Sequence, residues 1–348
     1  MSVLIGSHGA FLEHDPGADH PESPDRLAAV LRGISSAGVG DAVVPFAPRR
    51  ATRDELARVH DIGYVSRLEE TCLVGGGRLD PDTAVSPASY EAAIRGAGAG
   101  LDAVARLDRG EAVAAFLALR PPGHHATVGG AMGFCLLNNV AVTAAGLVAR
   151  GERVLVVDWD AHHGNGTQAA FYGAAEVLFV SLHQFPFYPG SGSLDEIGEG
   201  EGEGATVNMP FPAGTAGDAY RMAVEEVVVP AAEQFSPTWL LVSAGFDAHR
   251  DDPLTDLGLS ATDFGDLTER VSRLVLPGRR IFFLEGGYDL DALAASAGAT
   301  VAALVGSSYR PEPPTTVGRH GSLGSPGSGG PAAVIEAARS LHELHQRT

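Results

Sequence analysis

Lysine is missing from this chain altogether. All 24 basic residues are arginines, set against 43 acidic ones, and the formal net charge is −19. A composition rich in Ala, Gly and Arg is the plainest cause. A chain this acidic excludes non-specific binding to nucleic-acid phosphates. It favours cationic partners, although net charge alone places no field at a site. Cysteine is scarce too: Cys72 and Cys135 stand far apart with no CxxC spacing, which excludes a disulfide framework. Long apolar runs are lacking, so no segment is read as a membrane span. The N-terminal MSVLIGSHGAFLEHD has no basic start before a long apolar core and is not read as a signal peptide. These absences predict a cytoplasmic protein without direct nucleic-acid or membrane partners. Nothing in the composition sets an oligomeric state.

What is present reads as a folded α/β chain. A hydrophobic content of 45% in 348 residues supplies a sizeable core. Four short apolar runs are each followed at once by polar residues and glycine: AVAAFLAL before RPPGHHA, RVLVV before DWDAHHG, TWLLVSAG before FDAH, and RIFFLEGG before YD. A fifth is VLFVSLHQF. Such near-continuous runs fit strands buried on both faces, the habit of parallel sheets. Segments with helical spacing lie between them: NNVAVTAAGLVAR, AYRMAVEEVVVPAAEQF and SATDFGDLTERVSRLVL. The prediction is one α/β domain over residues 1–306, a mostly parallel sheet flanked by helices. The prolines of HPESPDR precede a helix expected to start near Asp25. Residues 307–331, rich in Pro, Gly and Ser, read as a loop or mobile linker, and 332–348 as a terminal helix packing on the same domain.

In wound α/β sheets ligands bind beyond the carboxyl ends of the strands, and four of these strand ends carry chemistry. In VVDWDAHHGNGT (Val156 to Thr167), Asp160 and His162 are two residues apart, so on an extended backbone their side chains leave one face. Asp247, after the TWLLVSAGF strand, offers a third ligand. Two carboxylates and one imidazole leave a position open, as in a catalytic metal site. Zinc is the first choice and ferrous iron or another first-row metal the alternative. A DxH pair alone reads more readily as a satisfied polar pair without metal; the other strand ends reverse that preference. In RPPGHHA, His124 and His125 form a proton-handling pair, with Asp158 and Asn165 as ring partners. Tyr288, after two glycines, has a phenol able to stabilise an oxyanion.

Six motifs occur in order: RPPGHHA, GFCLLNN, VVDWDAHHGNGTQ, SLHQFPFYPGSG, SAGFDAHRDDPL and LEGGYD. Together they resemble the histone deacetylases and their bacterial relatives, the zinc-dependent amidohydrolases, from about His14 to the early 300s. The class II branch is the nearer match, since Asn165 replaces a class I Asp and Glu285 opens the EGGY motif. The resemblance implies that Asp160, His162 and Asp247 bind the metal and that His125 is general base, then acid. It implies that His124 with Asp158 assists electrostatically, that Asn165 supports His125, and that Tyr288 clamps the substrate carbonyl. Phe134 and Tyr188 match the aromatic walls of an acyl-lysine tunnel, where Tyr188 departs from the usual Phe; Leu254 and Gly286 fall along the same tunnel. Arg26 matches an arginine near an internal acetate pocket. A structural potassium site would use Asp158, Asp160, His162, Ser181 and Leu182, and Phe171 and Val177 match part of a second. No Ser or Cys nucleophile is required, and Cys135 is read as a packed core thiol.

Three functions follow from these residues and the resemblance. The first is deacylation of acyl-lysine in proteins or peptides. The second is hydrolysis of acetylated polyamines or other small amides; Leu254 stands where polyamine-specific relatives carry an acidic gatekeeper. Asp80 and Asp82 are candidates for the tunnel rim. The third is a non-catalytic acyl-ligand sensor. An arginase-like two-metal enzyme needs acidic ligands where this chain has His163-Gly164-Asn165.

Overall fold

Aliphatic runs without polar interruption can satisfy their backbone in a sheet and their side chains only between layers. In the computed structural model, which describes residues 1–316 and 329–345, they do both. The strands are β1 (Val3–Gly6), β2 (Val43–Phe46), β3 (Gly77–Arg78), β4 (Ala84–Val85) and β5 (Ala114–Leu117). They continue with β6 (Val154–Asp158), β7 (Val177–Gln184), β8 (Thr206–Phe211), β9 (Trp239–Ala244) and β10 (Arg280–Leu284). Eight form one sheet in the order β2-β1-β5-β10-β9-β6-β7-β8. Every pairing in it is parallel. Strands β3 and β4 make a separate antiparallel hairpin.

That order positions the site. The four strands that end in candidate residues, β5, β10, β9 and β6, are contiguous. Because they are parallel, their carboxyl ends open on one side, and Asp158 pairs in register with Ser243 of β9 and Ser181 of β7. The helix Leu290–Val305 packs on Asp25–Ser36 and on Ala261–Val271, while Ser89–Asp108 packs on Asn139–Val148. The five strands read from the sequence are all present, and the helix near Asp25 starts there. Strands β1, β2 and β8 were not anticipated. Four-residue VLIG and VVPF are too short for a periodic signal, and the proline in β2 is tolerated because that strand is an edge.

Two further differences concern helices and the chain end. AYRMAVEEVVVPAAEQF is two helical pieces, Gly217–Ala223 and Val229–Phe235, joined by a π-helical turn at Val224–Val228. Pro230 has no N–H to give to the preceding turn, so regular α bonding is interrupted there. The segment after Ser307 is not a free linker at its start. Glu312 accepts from Ala261 N at 2.6 Å, lies 2.8 Å from His249 Nε2 and pairs with Arg250. Thr315 Oγ1 accepts from Gly217 N and bonds Asp263. Composition cannot reveal such anchors, since they depend on distant partners. The rest of the expected linker, 317–328, lies outside the described residues. The last helix runs Pro331–His345 and buries Ile335 and Ala338, packing against the edge strand β8; 346–348 of that expectation also lie outside.

A buried ion cluster ties the entry of the first long helix to β5. Glu22 receives Arg120 through both carboxylate oxygens at 2.6 and 2.8 Å and Arg26 at 3.0 Å. All three side chains are fully buried. Although burial opposes the charge, the adjacent His14, Arg120 and Arg26 hold the Glu22 carboxyl well below its usual range. Glu22→Gln therefore leaves two guanidiniums without their counter-charge, and a loss of about 3–5 kcal/mol is expected in denaturant titration. His60 carries a pH dependence. Its Nδ1 lies 2.9 Å from Thr127 O and its Nε2 accepts from Asn138 N at 2.9 Å. Burial lowers its pKa from 6.5 to about 4. The unfolded chain binds that proton first, so this contribution, on the order of 3 kcal/mol, is present above pH 6.5 and is lost as pH falls towards 4. The urea midpoint should drop over that range, and His60→Asn should flatten the slope.

Candidate active site and metal centre

At the end of β6 the backbone bends. Asp160 N donates to Asp158 Oδ1 at 3.1 Å, and His162 N to Asp160 Oδ1 at 2.9 Å. Asp160 and His162 thus share a face through two successive side-chain-to-backbone turns, not through the extended strand expected. Asp247 arrives from the end of β9 and accepts from Ala161 N at 2.8 Å. His162 Nδ1 lies 3.1 Å from Asp160 Oδ1 and 3.0 Å from Asp247 Oδ2. Gly286 N fixes the other Asp160 oxygen at 2.8 Å. A Cβ on Gly286 would stand 2.2 Å from Asp247 Oδ2, so only glycine lets the backbone approach both carboxylates.

The residues fit a divalent cation. Asp160 and Asp247 are buried, and their oxygens and the imidazole nitrogen all lie within 4.8 Å of one another. Such lone pairs converge only around something electropositive. Burial first and the Asp160 charge second push Asp247 up to about 7, while the carboxylates raise His162 to about 10 despite burial. Both directions report a negative hole. A second trio among the described residues, His124, Cys135 and Glu285, also brings ligand atoms within 4.8 Å. There, however, His124 Nδ1 is engaged by Asp158 and Glu285 already accepts from three donors, so we read it as scaffold.

The two histidines after β5 are brought to the same point and pushed apart in charge. His124 Nδ1 lies 2.9 Å from Asp158 Oδ2, His125 Nδ1 lies 2.8 Å from Asn165 Oδ1, and the rings are 4.0 Å apart. Burial disfavours charge on both. Around His124, the Asp158, Asp160 and Glu285 charges overcome it and raise the pKa well above 6.5. At His125 burial is reinforced by His124 and His162, and the pKa falls well below 6.5. A neutral amide beside His125 and a carboxylate beside His124 make the difference, the pattern that assigns acid and base roles.

Glu285 and Arg26 join the loops that carry this machinery. Glu285 Oε2 accepts from Gly123 N at 2.6 Å and His124 N at 3.2 Å, and Oε1 from Ser243 Oγ at 3.2 Å. Burial pushes its pKa up to about 7. Arg26 Nε donates to Gly287 O at 2.7 Å and its guanidinium lies 5.0 Å from the Tyr288 ring. Every nitrogen of Arg26 bonds Glu22, Glu285 O or Gly287 O. It therefore braces the tyrosine loop. Tyr288 N donates to Asp252 Oδ2 at 2.7 Å, and burial keeps its phenol protonated far above 10.

Aromatic rings surround the approach. Tyr188 meets His125 edge-on at 5.2 Å and is 38% exposed; Phe134 meets Tyr288 edge-on at 5.8 Å. Leu254 is 36% exposed. Asp82 Oδ1 accepts from Gly133 N, next to Phe134, at 3.2 Å, and Asp80 Oδ1 accepts from Asp82 N at 3.0 Å. Sequence reasoning missed Glu22, Arg120 and Phe187, whose ring stacks on His162 at 5.3 Å. Only Glu22, four residues before Arg26, left a readable signal. Sequence reasoning gives no role to the buried pair His163 and His183, 4.8 Å apart, which bond Ser191 and Gly192 O in the loop that carries Tyr188. Of the residues matched to the potassium site, Asp158 at the end of β6 pairs with Ser181 inside β7, and Tyr220 Oη donates to Leu182 O at 3.2 Å.

Known proteins share this arrangement. Residues 20–304 match the family profile described as histone deacetylase domain. A probable deacetylase of Archaeoglobus fulgidus is 38% identical over 297 residues, covering 84% of this chain and 82% of that protein. The histone deacetylase-like amidohydrolase of Pseudomonas aeruginosa is 38% identical over 288 residues, 80% of this chain and 75% of its own length. Histone deacetylase 15 of Arabidopsis thaliana is 41% identical over 323 residues, 90% of this chain and 58% of the larger protein. The crystal structure of an HDA15 HD domain superposes with a TM-score of 0.88 at 35% identity, covering 99% of this chain and 95% of that one. This chain belongs to the histone deacetylase family, with the fold and the deacetylase function of that family.

Proposed function

We propose that the protein hydrolyses acyl-lysine side-chain amides in proteins or peptides, with zinc held by Asp160, His162 and Asp247. The observation that carries this reading is the convergence of those three groups beside a histidine pair in which one ring meets a carboxylate and the other a neutral amide. A divalent ion in that position supplies Lewis acidity, which makes water nucleophilic near neutral pH and polarises the carbonyl. His125, neutral and fixed by Asn165, takes the proton of the attacking water and later delivers it to the departing amine. His124 stays cationic beside Asp158 and offsets the negative charge that gathers as the carbonyl is attacked. Tyr288, held as a neutral phenol, donates to the carbonyl oxygen as its charge grows. Phe134 and Tyr188 flank the acyl-lysine chain, Phe134 beside Tyr288 where the acyl carbonyl would lie, with Leu254 and Gly286 along the same path and Asp80 and Asp82 at the rim.

A structural potassium ion at Asp158, Asp160, His162, Ser181 and Leu182 would compensate the same acidic strand end, with Phe171 and Val177 near a second. Two buried, unpaired cysteines support the cytoplasmic reading, as does the absence, among the described residues, of any helix long and apolar enough to cross a membrane. Leu254, with no carboxylate to offer, argues against a polyamine substrate.

Elemental analysis should find about one transition metal per chain, and a fluorogenic acetyl-lysine peptide should be cleaved in a reaction blocked by hydroxamates. Tyr288→Phe should lower kcat about 10²–10³-fold and leave the metal content unchanged. Acetate released only from acetylputrescine or acetylspermidine would replace the lysine reading with the polyamine one. Peptide binding without turnover, unaffected by Tyr288→Phe, would indicate a sensor.

A further inference from the structure

We infer that the β3–β4 hairpin, through Asp82 and Thr83, is a brace that holds Phe134 in a strained turn and so sets which acyl groups the tunnel accepts. The inference rests on the deacylase reading above. Its starting point is the backbone of Phe134. Residues Met132 to Cys135 close a two-residue turn, with Cys135 N donating to Met132 O at 2.9 Å and Met132 N to Cys135 O at 3.2 Å. Gly133 has φ +54° and Phe134 φ +68°. Two successive left-handed residues make a type I′ turn, which prefers Asn or Gly at both places. A side chain with a Cβ avoids that region. Among the described residues only Phe134 and Ser236 combine a side chain with positive φ, and Ser236 caps a helix end. An aromatic kept in such a conformation needs surroundings that over-determine it.

The hairpin loop supplies them. Phe134 N donates to Thr83 Oγ1 at 3.1 Å, and Gly133 N to Asp82 Oδ1 at 3.2 Å. Thr83 Oγ1 gives its own proton to Asp82 Oδ1 at 2.9 Å, which leaves its lone pairs for the Phe134 amide. Thr83 is 1% exposed. Asp80 Oδ1 gathers the amides of Asp82 and Thr83 at 3.0 and 2.6 Å and fixes the loop itself. His20 closes the assembly, its Nε2 3.1 Å from Asp82 O and its ring edge-on to Phe134 at 4.6 Å.

Relaxation of this turn would be felt at the site. A Cβ on Gly133 would stand 2.4 Å from the His125 ring, so the turn is pressed onto the general base, and the Phe134 ring faces Tyr288. Asp82 and Thr83 touch none of the reacting groups. They are positioning residues, and what they position is the width of the wall. Loosening the brace lets the ring withdraw, which harms a small acyl group held by close contact more than a longer one.

The test compares Thr83→Val, which keeps the shape and removes the acceptor, with Thr83→Ser, which keeps the acceptor. In Thr83→Val, kcat/KM for an acetyl-lysine peptide should fall about tenfold, mainly through KM, while the butyryl-to-acetyl preference rises; Thr83→Ser should restore both. Fluorine NMR of 4-fluorophenylalanine at position 134 should give one sharp line in the otherwise unchanged chain and a broadened or doubled line with Thr83→Val. Should Thr83→Val fail to fold, Asp82→Ala, at a half-buried position, removes the partner of Gly133 N and is read in the same way. An unchanged acyl preference in a folded variant overturns the inference, whatever the fluorine line does. If the unsubstituted chain cleaves no acyl-lysine peptide, the deacylase reading fails instead, and the fluorine line still reports whether the brace exists.

Discussion

Two buried carboxylates and an imidazole nitrogen facing one point stay together only when a proton or a cation lies among them, and much of this chain is arranged around that demand. Asp160 and Asp247 sit at the ends of β6 and β9, where backbone amides of His162, Ala161 and Gly286 are turned towards them. Hydrogen bonds of this kind stabilise the anions in part. They do not cancel two charges taken out of water, and the remainder is what gives a divalent ion its affinity. The strand order makes the geometry possible, because parallel neighbours deliver their carboxyl-terminal loops to one rim.

The same negative hole organises its neighbours. His124 is drawn into the charged state by the carboxylates around it, and once charged it helps to keep His125 neutral. One electrostatic field therefore produces two different histidines from adjacent positions in the chain. Behind them Arg26 and Arg120 share the single carboxylate of Glu22, a fully buried group with an excess of positive charge. Arg26 uses it to hold the loop that presents Tyr288. The tyrosine, the histidine pair and the ligands are thus linked through buried polar bonds, where removing one partner leaves another exposed to the full desolvation penalty.

Much of this was legible beforehand. The runs VLVVD, WLLVSA and RIFFL announce buried parallel strands, since apolar residues fill them almost without a break before the loop begins. Asp160, His162, Asp247, His124 and His125 stand out because titratable groups directly after such strands need a reason to be there. Short VLIG and VVPF left no periodic signal, and the anchors Glu312 and Thr315 were hidden in a segment whose composition reads as linker. Arg120 stands in RPPGHHA, where an arginine beside two histidines reads as surface, because its partner, Glu22, is 98 residues away in the chain.

The sequence by itself determined the identity of the chemical groups, their order and the strand endings that carry them, because these depend on local hydrophobicity and spacing. Only the tertiary structure decided which groups converge on one point, which histidine faces a carboxylate and which backbone is held in a strained turn. Those properties come from distances between residues remote in the chain and from the loss of water around them, and neither is a property of any stretch read alone.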